Sequence, residues 1–268
     1  MKKEIAYLST VYLLFIILMT LCGSVSGFFS EALFYVSFLI PVAVTLLLKR
    51  RLNLSFELPR VNLSKESLVG VLLFSAPTLA LIFGISYVTS SLLAYFGNAP
   101  AVDVSGNIFL VIFKDALLTS VLEELLFRAL PLALLIPYSK KGAILYSAAF
   151  FALLHCNLYQ LPYAFIAGVI FAAADIIYES IVPSLIFHFM NNVISVFWLR
   201  YSSCAVFSAT YVSVLFSIAL VSLVIIFLKR RRLCELWSTA LSEDGAIALS
   251  VEFCVMAFAA LLIAFMNL

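Results

Sequence analysis

A chain of 268 residues that is 65% hydrophobic and only 11% charged, with a mean hydropathy of +1.18, is not a soluble domain, because ordinary globular sequences are about half apolar and about a quarter charged. The net charge of +2 carries no nucleic-acid footprint, and the five cysteines (Cys22, Cys156, Cys204, Cys234, Cys254) are scattered, odd in number and without CxxC spacing, which argues against a disulfide framework or a thiolate zinc site. What remains is a multi-pass integral membrane protein, with lipid as its surround.

Apolar runs, measured against the roughly 20 residues that a span needs, predict about eight or nine transmembrane helices. They fall at roughly 5–22, 31–48, 67–96, 107–136, 142–156, 158–178, 181–199, 204–228 and 246–266. Met1-Lys2-Lys3 followed by an apolar run has the look of a signal peptide, but the run from Ile5 to Cys22 is long for one and the residues after it make a poor cleavage site. It is read as a retained first span. Cys22 lacks the small residue expected just before a lipid-modified cysteine. The fifth run is short, and Asn157 and Pro162 make its junction with the sixth irregular, so the count turns on that junction. With no internal repeat, low-complexity tract or linker, residues 1–268 form a single domain: an all-α, polytopic transmembrane bundle.

Lys and Arg in the connecting loops set the expected orientation. Lys2-Lys3, Lys49-Arg50-Arg51 with Arg60 and Lys65, Lys140-Lys141 and Lys229-Arg230-Arg231-Arg232 are the basic clusters, whereas the loops near 23–30 and 97–106 have none. Nine spans with a cytoplasmic N-terminus put every cluster inside and both bare loops outside. The expected location is a bacterial plasma membrane.

The fourth run is anomalous, for within it Ser120–Leu130 (SVLEELLFRAL) carries Glu123, Glu124 and Arg128. An ionised side chain near the bilayer centre costs roughly 2.5–3.5 kcal/mol on insertion scales, so each needs a partner, water or a function. Glu124 and Arg128 are four residues apart and share a helix face, which suits a buried, neutralised pair that fixes packing. Glu123 points about 100° away and must find its partner on another helix. Lys114 and Asp115, nearer the other end, are expected to be interfacial or paired with each other.

Both histidines of the chain, His155 and His188, also fall within predicted spans, and Asn192 lies four residues after His188 on the same face. At 1.5 Å per residue, Glu123 and His155 both lie about 20 Å in from the cytoplasmic end. One polar cavity near mid-membrane, open to the cytoplasm beside the Lys140-Lys141 loop, is expected to hold them all. Glu123 and His155 should approach within roughly 3–6 Å to share a water, with His188 and Asn192 on the opposite wall. A carboxylate with an imidazole can activate water, and a second imidazole with an amide can donate hydrogen bonds to a developing oxyanion. That is a constellation for hydrolysing an amide. The chain has no HExxH and no GxGD motif, and Cys156, adjacent to His155, diverges from it by about 100° on a helix. Two histidines and a carboxylate (Glu123, His155, His188) could instead hold zinc with one position open. Metal-free activation is preferred, because Asn192 suits an oxyanion donor and no local motif holds the ligands together; no cofactor is then required.

Three motifs in order, EExxxR (Glu123 to Arg128), FxxxH (Phe151 to His155) and HxxxN (His188 to Asn192), on successive predicted helices, resemble the CPBP family of intramembrane proteases. This family groups the type II CAAX prenyl endopeptidases with bacteriocin-processing and bacteriocin-immunity (Abi) proteins. EELLFRA is similar to the family's EExxFRG, with Ala129 where glycine is usual, and the resemblance covers residues 107–195 within the core helices of 107–199. It implies a glutamate-dependent endopeptidase, often classed as a metalloendopeptidase, acting on a membrane-associated protein or peptide of CAAX or bacteriocin type. It further implies that Glu123 activates water held by His155, that His188 and Asn192 form the oxyanion site, and that Glu124, Arg128 and Phe151 support them. Two other readings stay open. One is a non-catalytic immunity or scaffold protein; the other is a proton-coupled transporter whose relay includes Glu123, the histidines and Asp175.

Overall fold

The computed structural model describes residues 1–23, 28–48, 51, 58–96, 103–231, 234, 235, 238 and 250–266. Nine long helices can be traced among them: α1 (Lys2–Gly23), α2 (Phe28–Leu48), α3 (Lys65–Leu93), α4 (residues 108–135), α5 (Lys140–Leu153), α6 (Leu161–Tyr178), α7 (Val182–Tyr201), α8 (Ala205–Leu228) and α9 (Val251–Met266). Six of them (α1, α2, α3, α6, α7 and α8) are long and apolar enough to cross a membrane. The chain is an all-α, polytopic integral membrane protein. Local chemistry sets several helix starts. Ser64, Asn107 and Ser139 each accept a backbone N–H of the following first turn, and Pro162 and Pro183 sit where their missing N–H has no intrahelical partner to lose.

The helices run back and forth between two faces. On one, the Met1 amino group pairs with Glu4 at 2.7 Å, Tyr138 of the α4–α5 turn donates to the same carboxylate at 2.9 Å, and Ile181 N–H of the α6–α7 turn donates to Arg60 carbonyl at 3.1 Å. On the other, Lys114 near the start of α4 pairs with Glu31 of α2 at 2.8 Å. There too Arg200 at the end of α7 donates to the carbonyls of Val104 and Gly106, at 3.1 and 2.9 Å, and Tyr159 donates to Leu93 carbonyl at 3.3 Å. Lys2-Lys3, Arg60, Lys65, Lys140-Lys141 and Lys229-Arg230-Arg231 gather at the Met1 face. Lys49, Arg50 and Arg232, and the central parts of the two loops without Lys or Arg, lie outside the described residues.

Helix α1 is built into the core. Ile5, Leu8 and Tyr12 are fully buried, and the Tyr12 ring packs 4.4 Å from Phe150 and 5.7 Å from Phe127. Helices α5 and α6 approach most closely at Gly168, where an added Cβ would lie 2.7 Å from Ala148 Cα. Small residues at a crossing allow this packing of backbones, one of the few driving forces left where lipid is as apolar as the side chains.

Helix α4 is not uniform. Two π-helical stretches, Ile112–Leu118 and Leu125–Ala129, flank the α-helical segment Thr119–Glu124. A π turn bonds i to i+5 and disturbs the regular ladder of carbonyls, and within a bilayer a freed carbonyl must find a donor. Side chains supply them. Tyr12 Oη donates to Leu126 carbonyl at 2.7 Å and Ser147 Oγ to Phe127 carbonyl at 2.6 Å. In the first stretch, Thr119 Oγ1 donates to Lys114 carbonyl at 3.0 Å and Ser120 Oγ to Ala116 carbonyl at 2.6 Å. Two neighbouring helices, α1 and α5, thus hold the irregular backbone of α4 in place, with help from its own Thr119 and Ser120.

Tyr12→Phe is expected to lower stability by about 1–3 kcal/mol, since Leu126 carbonyl is left buried without that donor. Tyr7→Phe, which removes a half-buried bond to Thr45, should cost clearly less; thermal unfolding in detergent compares them. Gly168→Val should lower the same transition more than either, because the atom it meets is backbone.

Candidate active site

Glu123 and Glu124 end the α-helical segment of α4, and Arg128 lies in the π turn that follows. Glu124 and Arg128 are both 0% exposed, with Arg128 Nε 3.5 Å from Glu124 Oε2. Burying a guanidinium demands hydrogen bonds for its other N–H groups as well as a counter-charge. Its Nη1 also reaches Phe127 carbonyl at 3.1 Å and Ser147 Oγ and carbonyl at 3.3 and 3.4 Å, and its carbon lies 4.4 Å over the Phe151 ring. The pair expected from the i, i+4 spacing is present, but it is part of something larger.

The addition is His188, which α7 inserts between the two carboxylates. Its Nδ1 is 2.7 Å from Glu124 Oε1 and its Nε2 is 3.5 Å from Glu123 Oε2. Glu123 thus finds its partner on another helix, as its spacing required. Glu124 has two partners, Arg128 and His188, and the second was not legible from spacing on one helix. A carboxylate only accepts hydrogen bonds, so Nδ1 carries its proton toward Glu124. That leaves Nε2 to face Glu123 across a gap that one proton can occupy.

His155 follows the end of α5. Its Nδ1 meets Phe151 carbonyl, which places the proton on Nδ1 and leaves a lone pair on Nε2 when the ring is neutral. The Phe151 ring meets both imidazoles edge-on, with centroids 4.7 Å from His155 and 5.4 Å from His188, so the two rings are no more than about 10 Å apart. They share one site. Among the described residues, however, no ion pair joins Glu123 to His155; the Glu123 carboxylate is turned to His188. Asn192, one turn beyond His188, donates through Nδ2 to Ser120 Oγ at 3.1 Å and lies 3.5 Å from Asp115 carbonyl, with Asn191 Nδ2 3.4 Å from its Oδ1.

Residues not singled out for the site complete it. Asp175, buried on α6, accepts Ser184 N–H at 3.0 Å, which fixes the start of the helix that carries His188. Tyr163 of α6 lies within electrostatic reach of Glu123. Ser147 and Ser120 are ordinary residues in apolar sequence, and no motif marks them; Asp175 alone had a signal, as a carboxylate in an apolar run.

The two sides of Glu123 are packed unequally. Toward the Lys140-Lys141 end, Glu124, Arg128, Asp175 and Ser184 are at most 3% exposed, and α4 is buried without interruption over residues 126–135. The apolar second half of α4 packs beneath α1 and α5 and closes that direction. Glu123 is 14% exposed, and His155, Asn157, Gln160, Asn191 and Asn192 are half-buried, all level with it or nearer the Arg200 face.

The alternative of zinc held by Glu123, His155 and His188 finds no matching donor set among the described residues. Among the described residues, no group of three His, Cys, Asp or Glu side chains is close enough to hold an ion. Glu123, His155 and His188 are therefore not arranged as three ligands, and no step is assigned to a metal here.

Residues 105–194, the segment from α4 through most of α7, match the family described as type II CAAX prenyl endopeptidase Rce1-like. This agrees with the family to which the three motifs pointed. No curated protein and no solved structure gives a match to the chain.

Arg128→Met should cost about 3–5 kcal/mol, since it leaves Glu124 buried with one counter-charge fewer. Combining it with Glu124→Leu should recover part of that loss in detergent unfolding. It should also release His188 Nδ1, seen as a changed imidazole nitrogen chemical shift in the labelled protein.

Proposed function

We propose that the chain is an intramembrane endopeptidase that hydrolyses a peptide bond of a membrane-associated protein or peptide, with Glu123 as the general base. The observation that carries this reading is the placement of Glu123. It is the one carboxylate of the network with an exposed edge, while its neighbour Glu124 is wholly committed to Arg128 and His188.

The chemistry follows from the hydrogen-bonding groups. Glu123 takes a proton from a water oriented by the free Nε2 of His155, and the water oxygen adds to the scissile carbonyl carbon. With its second proton, held between the two carboxylates, His188 donates Nε2–H toward Glu123; as Glu123 becomes neutral that hold weakens, and the donor turns to the developing oxyanion. An amide nitrogen has two N–H donors; Asn192 keeps one on Ser120 Oγ and turns the other from its long, 3.5 Å contact with Asp115 carbonyl to the same oxygen. Collapse of the tetrahedral intermediate breaks the C–N bond, and Glu123 returns its proton to the leaving amine. Both imidazoles are fixed before substrate arrives, by Phe151 carbonyl for His155, which accepts from the water, and by Glu124 for His188, which donates. Preorganisation of this kind is usually the largest part of catalysis. The basic clusters of the Met1 face support a cytoplasmic position for that face.

The test compares membranes from cells producing the wild-type chain or Glu123→Gln at equal levels, with mass spectrometry of newly formed peptide ends. Ends specific to the wild type are expected, and Glu123→Gln should reduce them by at least about 100-fold, the range of general-base catalysis. Identical ends in both samples would replace the protease by a binding or scaffold protein.

A further inference from the structure

Two features established separately, the direction in which the site opens and the distribution of basic residues, meet in one conclusion. On the Met1 side of Glu123 the interior is closed, first by the buried Glu124–Arg128–Asp175 cluster and then by the apolar second half of α4. On the opposite side the polar residues are half-buried, and the backbone is irregular from Leu154 to Gln160, between α5 and α6. Cys156 has a positive φ of 48° there, and the Asn157 side chain accepts Tyr159 N–H at 2.9 Å, closing a turn just before α6. Non-helical backbone at membrane depth is tolerated where it is buried in protein or lines a water-filled cavity. This segment is only half-buried and carries His155, Asn157 and Gln160. Tyr159 meanwhile reaches the end of α3 at Leu93 carbonyl, so the segment lies close beneath the Arg200 face. That face has little free positive charge: Lys114 is paired with Glu31, and Arg200 is tied to two backbone carbonyls. Among the described residues, the basic clusters Lys2-Lys3, Lys140-Lys141 and Lys229-Arg230-Arg231 are at the other end.

Basic loops stay in the cytoplasm, and the site opens away from them. We infer that the site is served from the non-cytoplasmic side of the membrane, through a mouth formed by residues 154–160 and the Asn191-Asn192 edge of α7. Its substrate class is then a membrane-tethered peptide segment lying on that side. This rests on the peptidase reading for the word substrate; the side of access itself does not.

Cysteine labelling tests the access without any catalytic readout. In full-length chains lacking the other cysteines, Cys204 reports the Arg200 face, Cys234 the Met1 face and Leu158→Cys the mouth. Intact cells are treated with a membrane-impermeant maleimide, before and after permeabilisation. Labelling of Cys204 and of Leu158→Cys in intact cells is expected, with Cys234 labelled only after permeabilisation. Labelling of Cys234 but not Cys204 in intact cells overturns the orientation. Cys204 labelled from outside with Leu158→Cys labelled only after permeabilisation, or not at all, overturns the mouth. Loss of wild-type-specific peptide ends would remove the peptidase and leave this topology standing, so the two failures are distinguishable.

Discussion

Hydrocarbon offers a buried polar group nothing to bond to, and most of the specific features of this molecule answer that constraint. Placing a carboxylate in mid-membrane creates a need for a counter-charge. Arg128 supplies it and in turn requires Ser147, Phe127 carbonyl and the Phe151 face. The π turns of α4 present carbonyls that a regular helix would satisfy internally, and Tyr12, Ser147, Thr119 and Ser120 answer them. The result is a chain of dependence running from α1 through α4 and α5 to α7. Its members are residues that would look unremarkable in a soluble protein.

The two adjacent carboxylates illustrate how environment divides labour. Glu124 is fully buried and bridges a guanidinium and an imidazole, so both its oxygens are committed to structure. Glu123, one residue earlier, keeps an edge toward the polar opening and a single, longer contact to His188. The same side chain is scaffold in one position and reactive group in the next. The imidazole between them makes the difference usable, because one of its nitrogens is anchored while the other can respond to a change of charge on Glu123.

Much of the fold was legible in the sequence because membrane spans announce themselves by length and hydropathy. The nine predicted runs and the nine long helices among the described residues agree to within a few residues at most boundaries. The short fifth run and its irregular junction at Asn157 were visible for the same reason: polar residues and proline interrupt an apolar run. The i, i+4 pair of Glu124 and Arg128 was also legible, since it is local. The clamp on His188 was not, for it depends on the rotation of α7 relative to α4, which no spacing within one helix encodes. Nor were the π turns, because two of the donors that steady them, Tyr12 and Ser147, come from helices remote in sequence. Nor does equal depth for Glu123 and His155 say which side of them is packed.

Helix α5 is only 14 residues long, about 21 Å at 1.5 Å per residue, in a membrane whose hydrocarbon core is about 30 Å thick. The shortfall lies at the end where residues 154–160 take over. A hydrophobic segment shorter than its bilayer draws the lipid surface inward around it. Headgroups and water therefore dip toward His155, and the distance that a peptide must travel through oil to reach Glu123 shrinks. The thickness of the surrounding lipid thereby becomes part of the site: thin bilayers match the short helix, and thick ones bend to meet it at an elastic cost.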